Sequence, residues 1–379
     1  MKKIIGTMSG TSCDGLDIVY CEIEGNYTNT QLIQHIFEPH PYNDILSEKL
    51  NYLTSGKAQV DDIARANVYL AQIHSEMINL FIEKHHITDV DLIVSHGQTV
   101  FHDTNQQPDP FSPKCTLQIG DGDYIACLTG IPVLSDLRMK DMAVGGQGAP
   151  VVVYTDYILF SSQEESVGLQ NIGGIGNISI IDKASGPDEI LAFDTGPGNI
   201  LINKACEHYL NVAFDKNGKY SRNGTVLPEM LEHLWRIEED YFRILPPKST
   251  GREIRYNDTY FHKIIQLTEN TAYKVEDIIK TIVEFTAQTM VQSYRQYAYE
   301  PDTLIISGGG SKNPTLIEAI KHNLIHSQLK IMDESINDAK EAIAFALMGN
   351  EYLNGHFANI KSATGAVRSV QMGKLSIPD

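Results

Sequence analysis

The strongest constraint on the fold is a plan that the chain writes twice. Residues 2–25, KKIIGTMSGTSCDGLDIVYCEIEG, set two β-type runs on either side of a Gly/Ser/Thr turn, which predicts a hairpin with a polar tip. Residues 166–182, SVGLQNIGGIGNISIID, repeat the design with a glycine-rich tip. After the first hairpin, Ile63, Ala66, Tyr69, Leu70, Ile73, Met77, Leu80 and Phe81 fall at helical intervals and lead into the buried run DVDLIVSHGQ. After the second, Ile279, Ile282, Val283 and Phe285 do the same ahead of DTLIISGGG. Hairpin, helix and strand-to-corner therefore recur in one order, which predicts two related α/β domains with a cleft between their tips.

A chain of 379 residues exceeds what one hydrophobic core usually organises, in keeping with two domains. The boundary is expected near Ile131-Pro132, giving a first domain of residues 1–132 with the tail 356–379, and a second of residues 133–355. The helical stretch from Lys340 to Leu353 is a candidate to cross back to the first. Residues 214–260, rich in charge and proline, are expected as an insertion carrying surface loops. The formal net charge of −18, with no Lys/Arg run of five, argues against a nucleic-acid backbone partner. No apolar stretch reaches the roughly 20 residues needed to span a bilayer, so no membrane partner is expected and the expected location is cytoplasmic. The five cysteines lack a C-x-x-C pair, and the thirteen histidines lack H-E-x-x-H, which disfavours a disulfide framework and a zinc site.

The tips carry the chemistry. GTMSGTSCDGLD, residues 6–17, brings three glycines and four hydroxyls to one turn, where Gly10, Thr11 and Ser12 offer donors to phosphate oxygens. Asp14 is a candidate to hold Mg²⁺ through water. A tight turn built from ordinary turn residues is the alternative. NIGGIGN offers Gly173, Gly174, Gly176 and Asn177 as a second phosphate loop; it lies in a hairpin, so it is not a dinucleotide fingerprint, and no G-x-x-x-x-G-K-[ST] occurs. In SGGGSKNP, Gly308, Gly309 and Gly310 let a flat adenosine approach the backbone, with Asn313 and Pro314 opening the next helix; a flexible connector is the alternative. In FDTGPGN, Asp194 ends a strand where a carboxylate can accept a proton, although an aspartate there also suits a helix N-cap. Arg138, Lys140 and Asp141 precede the turn GGQGAP, where cations can focus an anionic ligand in an acidic protein, and His96 and Thr99 stand at a strand end in SHGQT.

These motifs, with LQIGDG, PPKSTGRE and AKEAIAFALM, run in order along nearly the whole chain, and together they resemble anhydro-N-acetylmuramic acid kinases. The resemblance implies an α/β, two-domain actin-like ATPase fold of duplicated ribonuclease H-like domains with a central cleft, usually as a homodimer. It implies a kinase that uses ATP and water to open 1,6-anhydro-N-acetylmuramic acid into the 6-phosphate during peptidoglycan recycling. Asp194 then resembles the general base, and His96, Thr99, Arg138 and Glu341 the sugar-holding positions. The cluster DLRMKD departs from the family's more usual aromatic residue and consecutive arginines at Met139 and Lys140, and VVVYTDYILF follows GGQGAP where many relatives carry a histidine. Two other readings stay open: a superfamily kinase acting on an already free hydroxyl, and an actin- or chaperone-like module that uses ATP as a switch for binding a protein.

Overall fold

The computed structural model describes residues 1–10, 12–104, 111–246, 248, 250, 255–269 and 271–378. Its strands run in chain order as β1 (Lys2–Ser9), β2 (Gly15–Glu24), β3 (Gln31–Pro41), β4 (Leu92–Asp103), β5 (Cys115–Ile119) and β6 (Val133–Ser135), then β7 (Val167–Ile172), β8 (Ile175–Ile181), β9 (Leu191–Pro197), β10 (Thr303–Ser307), β11 (Gln328–Ile331) and β12 (Lys374–Ser376). They form two sheets in two compact units. Unit 1 comprises Met1–Phe160 and Glu334–Asp379, and unit 2 is Ser161–Asp333.

The first sheet has the order β12-β6-β4-β1-β2-β3, with β5 paired to β4. Strands β1, β2 and β3 are antiparallel neighbours, while β4 runs parallel to β1 and β6 parallel to β4. The second sheet, β11-β10-β7-β8-β9, obeys the same rule: β7, β8 and β9 alternate, β10 is parallel to β7 and β11 to β10. Parallel neighbours need a crossover, and the long helices Val60–Lys84 and Val275–Tyr297 lie in the two equivalent connections. Each unit thus has the ribonuclease H-like order, and the duplication expected from the paired hairpins is real.

The core of unit 1 gathers Ile5, Leu16 and Ile18 of the hairpin with Leu70, Ile78 and Phe81 of the first long helix. Tyr69 and Leu80, expected on that face, are instead exposed, because the buried stripe runs through Leu70, Ala71, His74, Ile78 and Phe81. In unit 2, Ile279, Ile282, Val283 and Phe285 are all buried, as their spacing predicts.

Two expectations change. The units divide after residues 160 and 333, not after 132 and 355. The reason is physical: β6 extends the first sheet beside β4, and helix Glu334–Leu353 lies so close to β1 that a Cβ on Gly6 would strike the Ala342 carbonyl. Residues 214–260 are not mainly surface loops. Helix Pro228–Phe242 is amphipathic, and it buries Met230, Leu234, Tyr241 and Phe242, the first two in the unit 2 core with Tyr256 and Tyr260.

Candidate active site

In unit 1 the first hairpin tip is a built turn. Cys13 takes a left-handed φ of 55° and its N–H donates to the Gly10 carbonyl at 3.2 Å. The Ser12 hydroxyl donates to Asp14 Oδ1 at 2.6 Å, and the Asp14 carbonyl accepts from Tyr42 N–H at 2.9 Å. Thr11 lies outside the described residues. Asp14 is exposed at this tip, and carboxylates crowd behind it. Burial, then Glu341, Asp14 and Asp338, push the Asp17 carboxyl up to about 6.

His96 and Arg138 meet directly. His96 is 3% exposed on β4, and its Nδ1 lies 2.8 Å from the Gly97 carbonyl, which can only accept. The proton therefore sits on Nδ1, and Nε2 accepts from Arg138 Nε at 3.0 Å. Burial, followed by the Arg138 charge, holds His96 down at about 3, so the ring is neutral at physiological pH. Arg138 NH1 also donates to the Gly148 carbonyl at 2.8 Å. That carbonyl is fixed from below by Asp141, which is fully buried and accepts from Gly148 N, Asn359 Nδ2 and Thr364 Oγ1, each at 2.8 Å. The three donors satisfy a buried carboxylate and lock the GGQGAP turn against Arg138.

Glu341, on helix Glu334–Leu353, joins the group electrostatically: burial lowers the proton affinity of Arg138, and the Glu341 charge partly opposes that. Crowding by protein atoms pushes the Glu341 carboxyl up, while Arg138 and Lys340 draw it down. Glu341 is nonetheless exposed, and water reaching its oxygens screens both effects. Thr99 has a different partner, accepting at 3.1 Å from Gln118 Nε2 on β5. Of the four expected sugar contacts, three cluster and Thr99 stands further along the same strand. Lys140 lies 5.9 Å from the centre of the Tyr352 ring, and Met139 is 38% exposed.

In unit 2 the glycines turn their carbonyls inward. Gly173 O accepts from Asn199 N at 2.8 Å, and Gly174 O accepts from Gly198 N at 2.9 Å and from Ile200 N at 3.1 Å. A Cβ on Gly174 would meet nothing within 4 Å, so that side of the tip is open. Beside Gly174 a cavity of about 580 Å³ is lined by polar residues, among them Asn203, Lys204, Asn211 and Asp258. The SGGGSKNP corner is rigidly seated: Gly308 has φ +79°, and a Cβ on Gly310 would collide with Ile172 at the end of β7. Gly309, between them, faces open space. Asn313 caps the following helix by accepting from Thr315 N and Leu316 N, with Pro314 at its start.

Asp194 lies on β9 opposite Asn177, one residue from a register shift that pairs Gly176 with Gly196. It does not cap a helix, for Asn199 precedes helix Ile200–Leu210. Instead the segment around residue 250 clamps it. Asp194 N donates to the Lys248 carbonyl at 3.0 Å, Thr250 N donates to Asp194 Oδ2 at 2.7 Å, and the Tyr241 hydroxyl donates to the Asp194 carbonyl at 2.9 Å. Lys248 is 5% exposed, with Nζ 4.2 Å from the ring centres of both Tyr241 and Tyr297 and 4.9 Å from that of Phe242. Burial pulls its ammonium down to about 8, aided by Arg255 and opposed by Glu238 and Asp194. A cation so placed is stabilised by the ring faces. The PPKSTGRE motif signalled this segment without revealing its partner; its residues 247, 249 and 251–253 lie outside the described residues.

Among the described residues no cluster of three or more His, Cys, Asp or Glu could by itself hold a metal, and no helix is long and apolar enough to cross a membrane. The doubled ribonuclease H-like order, with a hairpin opening each sheet and a polar group on β4 of unit 1, is the duplicated architecture of the actin-like fold class. The family profile described as anhydro-N-acetylmuramic acid kinase matches residues 2–378. Similar proteins of that name are 38% identical in Caldanaerobacter subterraneus subsp. tengcongensis, over 99% of this chain and 97% of the relative, and 40% identical in Clostridioides difficile, over 98% and 97%. The chain belongs to the anhydro-N-acetylmuramic acid kinase family. Among solved structures, the activator of 2-hydroxyisocaproyl-CoA dehydratase from Clostridium difficile with bound ADPNP overlaps at a TM-score of 0.44 and 10% identity, covering 93% of this chain and 96% of that one. The family assignment accordingly rests on sequence.

Proposed function

We propose that this chain opens 1,6-anhydro-N-acetylmuramic acid with water while ATP phosphorylates the released 6-oxygen, and that Asp194 is the general base. The observation that carries this reading is the clamp on Asp194: its backbone N–H is held by Lys248 and one carboxylate oxygen by Thr250, beside the NIGGIGN tip. A base held in one orientation is what proton transfer in the transition state requires.

The substrate dictates the order of bonds. In a closed anhydro sugar the 6-oxygen is tied to the anomeric carbon, so there is no free hydroxyl to phosphorylate. Water adds to the anomeric carbon and gives its proton to Asp194; the bond from that carbon to the 6-oxygen breaks. The same oxygen bonds to the γ-phosphorus as the bond to ADP breaks. Because phosphorus takes up the leaving oxygen, no second carboxyl is needed as general acid, unlike an ordinary glycosidase. In unit 1, Arg138 offers a fixed guanidinium to the carboxylate or hydroxyls of the sugar. Neutral His96 fixes that guanidinium from one side, and Thr99 and Glu341 complete the assigned sugar contacts.

Gly10, Ser12, Gly173, Gly174, Gly176 and Asn177 are assigned to the phosphates, with Thr11 assigned from sequence. Gly308, Gly309 and Gly310 are assigned to adenosine, and the polar cavity beside Gly174 has the size of a small-ligand site. The donor set suits Mg²⁺: Asp14 supplies hard carboxylate oxygen at an exposed tip, and Asp17, pushed up first by burial and then by Glu341 and Asp14, marks neighbouring acidic groups whose charge a cation would offset. Bound there with waters and phosphate oxygens, Mg²⁺ would neutralise charge developing on the transferring group. We also assign a cytoplasmic homodimer on the family resemblance, which cell fractionation and sedimentation equilibrium test.

The reaction in ¹⁸O-labelled water, with the product analysed before anomeric exchange, should place label at the anomeric carbon and none in the phosphate. Label in the phosphate would show separate ATP hydrolysis. Efficient phosphorylation of free N-acetylmuramic acid in place of the anhydro form would establish the ordinary-kinase reading instead.

A further inference from the structure

Between the strand assigned to the sugar and the tip assigned to phosphate lies a run of buried polar groups that the mechanism above does not use. Strands β1 and β4 pair in parallel from Ile4↔Leu92 to Thr7↔Ser95, then slip by one residue to Ser9↔Gln98. The extra residue is accommodated at Gly97, whose φ is +69° and where a Cβ would press on the Ile119 carbonyl. The slip aims the Gln98 side chain at β1. Gln98 is 0% exposed; its Oε1 accepts from Ser9 Oγ at 2.6 Å, and its Nε2 donates to the Gly10 carbonyl at 3.0 Å. Ser9 Oγ accepts in turn from the Tyr42 hydroxyl at 3.0 Å, and that hydroxyl lies 2.8 Å from His74 Nε2.

The direction of every proton in this chain is fixed. A carbonyl only accepts, so Gly10 orients the Gln98 amide with Nε2 towards itself and Oε1 towards Ser9. Ser9 must then donate to Gln98, and Tyr42 must donate to Ser9. The Tyr42 oxygen is left to accept, so His74 carries its proton on Nε2. Its Nδ1 becomes a bare lone pair, in agreement with that atom having no hydrogen-bond partner among the described residues. Reversing one link leaves two acceptors or two donors facing each other among buried groups, so that polar atoms there lose their partners. The chain therefore has one arrangement, and moving one end moves the other.

We propose that Gln98 is a positioning residue that couples occupancy of the sugar-holding end of β4 to the geometry of the first phosphate tip. Gln98 stands between His96 and Thr99, both assigned to the sugar, and it grips both residues that lead into the tip. A sugar that settles the β4 end thereby settles the Gly10 carbonyl and the turn it holds. By thermodynamic reciprocity, nucleotide at the tip tightens the sugar by the same factor. This inference rests on the site assignments of the proposed function.

The test is calorimetry of 1,6-anhydro-N-acetylmuramic acid and of a non-hydrolysable ATP analogue, each alone and in the presence of the other. In the unaltered protein each ligand should tighten the other by about 5- to 150-fold, the range of ordinary allosteric coupling. Gln98→Glu keeps the shape but loses the donor to Gly10. It should bring the coupling factor to about 1–2, leave the affinity for sugar alone within about threefold, and lower kcat more than it raises KM, whereas a merely structural role would weaken each ligand separately. Should Gln98→Glu fail to fold, Ser9→Ala and Tyr42→Phe decide, each being expected to cut the coupling severalfold. Unaltered coupling in a folded Gln98→Glu, or in both fallback variants, overturns the proposal, as does absence of coupling in the unaltered protein. Failure of the functional reading shows differently: the unaltered protein would then neither bind nor turn over the anhydro sugar.

Discussion

Asp194 tests the chemistry most directly. Asp194→Asn keeps the shape that accepts from Thr250 N–H but removes the proton acceptor, so both substrates should still bind while turnover falls about 10²- to 10⁴-fold. Near-normal turnover by a folded variant, measured with saturating substrates, would reassign the base. The buried histidines make a second prediction, on stability. Burial holds His74 and His96 at about 3, whereas an unfolded histidine takes its proton near 6.5. Between those values the unfolded chain binds more protons, so their contribution is fully present above about pH 6.5 and is lost as pH falls towards 3. Asp17 works in the opposite sense: held up at about 6, it stabilises at low pH and loses that contribution as pH rises from about 4 through 6. Urea midpoints should drop from pH 7 to pH 4, and Asp17→Asn should make the drop steeper; a shallower drop would contradict this account. His96, Arg138 and Asp194 stood out in the sequence as polar residues close to glycine-rich motifs, although His96 and Asp194 lie within β4 and β9 and not at the strand ends expected of them. Tyr42, His74 and Lys248 did not, since what makes them matter is a partner dozens of residues away.

At the scale of elements, the glycine corner after β10 separates binding from folding within two adjacent residues. Gly309 faces open space, so Gly309→Val should fold normally and weaken ATP about tenfold or more by filling the surface assigned to adenosine. Gly310 abuts Ile172, so even Gly310→Ala should lower stability by about 1–3 kcal/mol through overpacking. Thermal melts and ATP titrations of the pair check both halves, and equal effects on ATP with equal melts would move the adenosine site elsewhere. The hairpins, long helices and this corner were legible because apolar period and turn chemistry agree locally. Helix Pro228–Phe242 was hidden by its own composition. Its charged outer face, with pairs such as Arg236–Glu232, masked an inner stripe of Met230, Leu234, Tyr241 and Phe242. The domain boundary was hidden for another reason: β6 is only three residues long, and pairing with β4, not sequence pattern, decides its unit.

For the whole molecule, the division after residues 160 and 333 sets unit 2 as one uninterrupted stretch inside a unit 1 made of two. Helix Glu334–Leu353 is integral to unit 1: Gly349 abuts Val94 of β4, and Glu351 accepts from Tyr27 N and Thr30 Oγ1 at 2.9 Å each. A chain ending at residue 333 should therefore keep slow hydrogen exchange in β7–β10 and helix Val275–Tyr297 while exchange in β1–β4 becomes fast; retained protection in β1–β4 would show that the helix is dispensable. The same arrangement sets a timetable for synthesis. The first 160 residues leave the ribosome without the helix that covers β1, and at about 5–20 residues per second roughly ten seconds or more pass before it is made. Unit 2, begun later, has all its parts sooner. The half of the protein that is translated first is thus the half that finishes folding last, and its uncovered sheet is the surface a nascent-chain chaperone would meet.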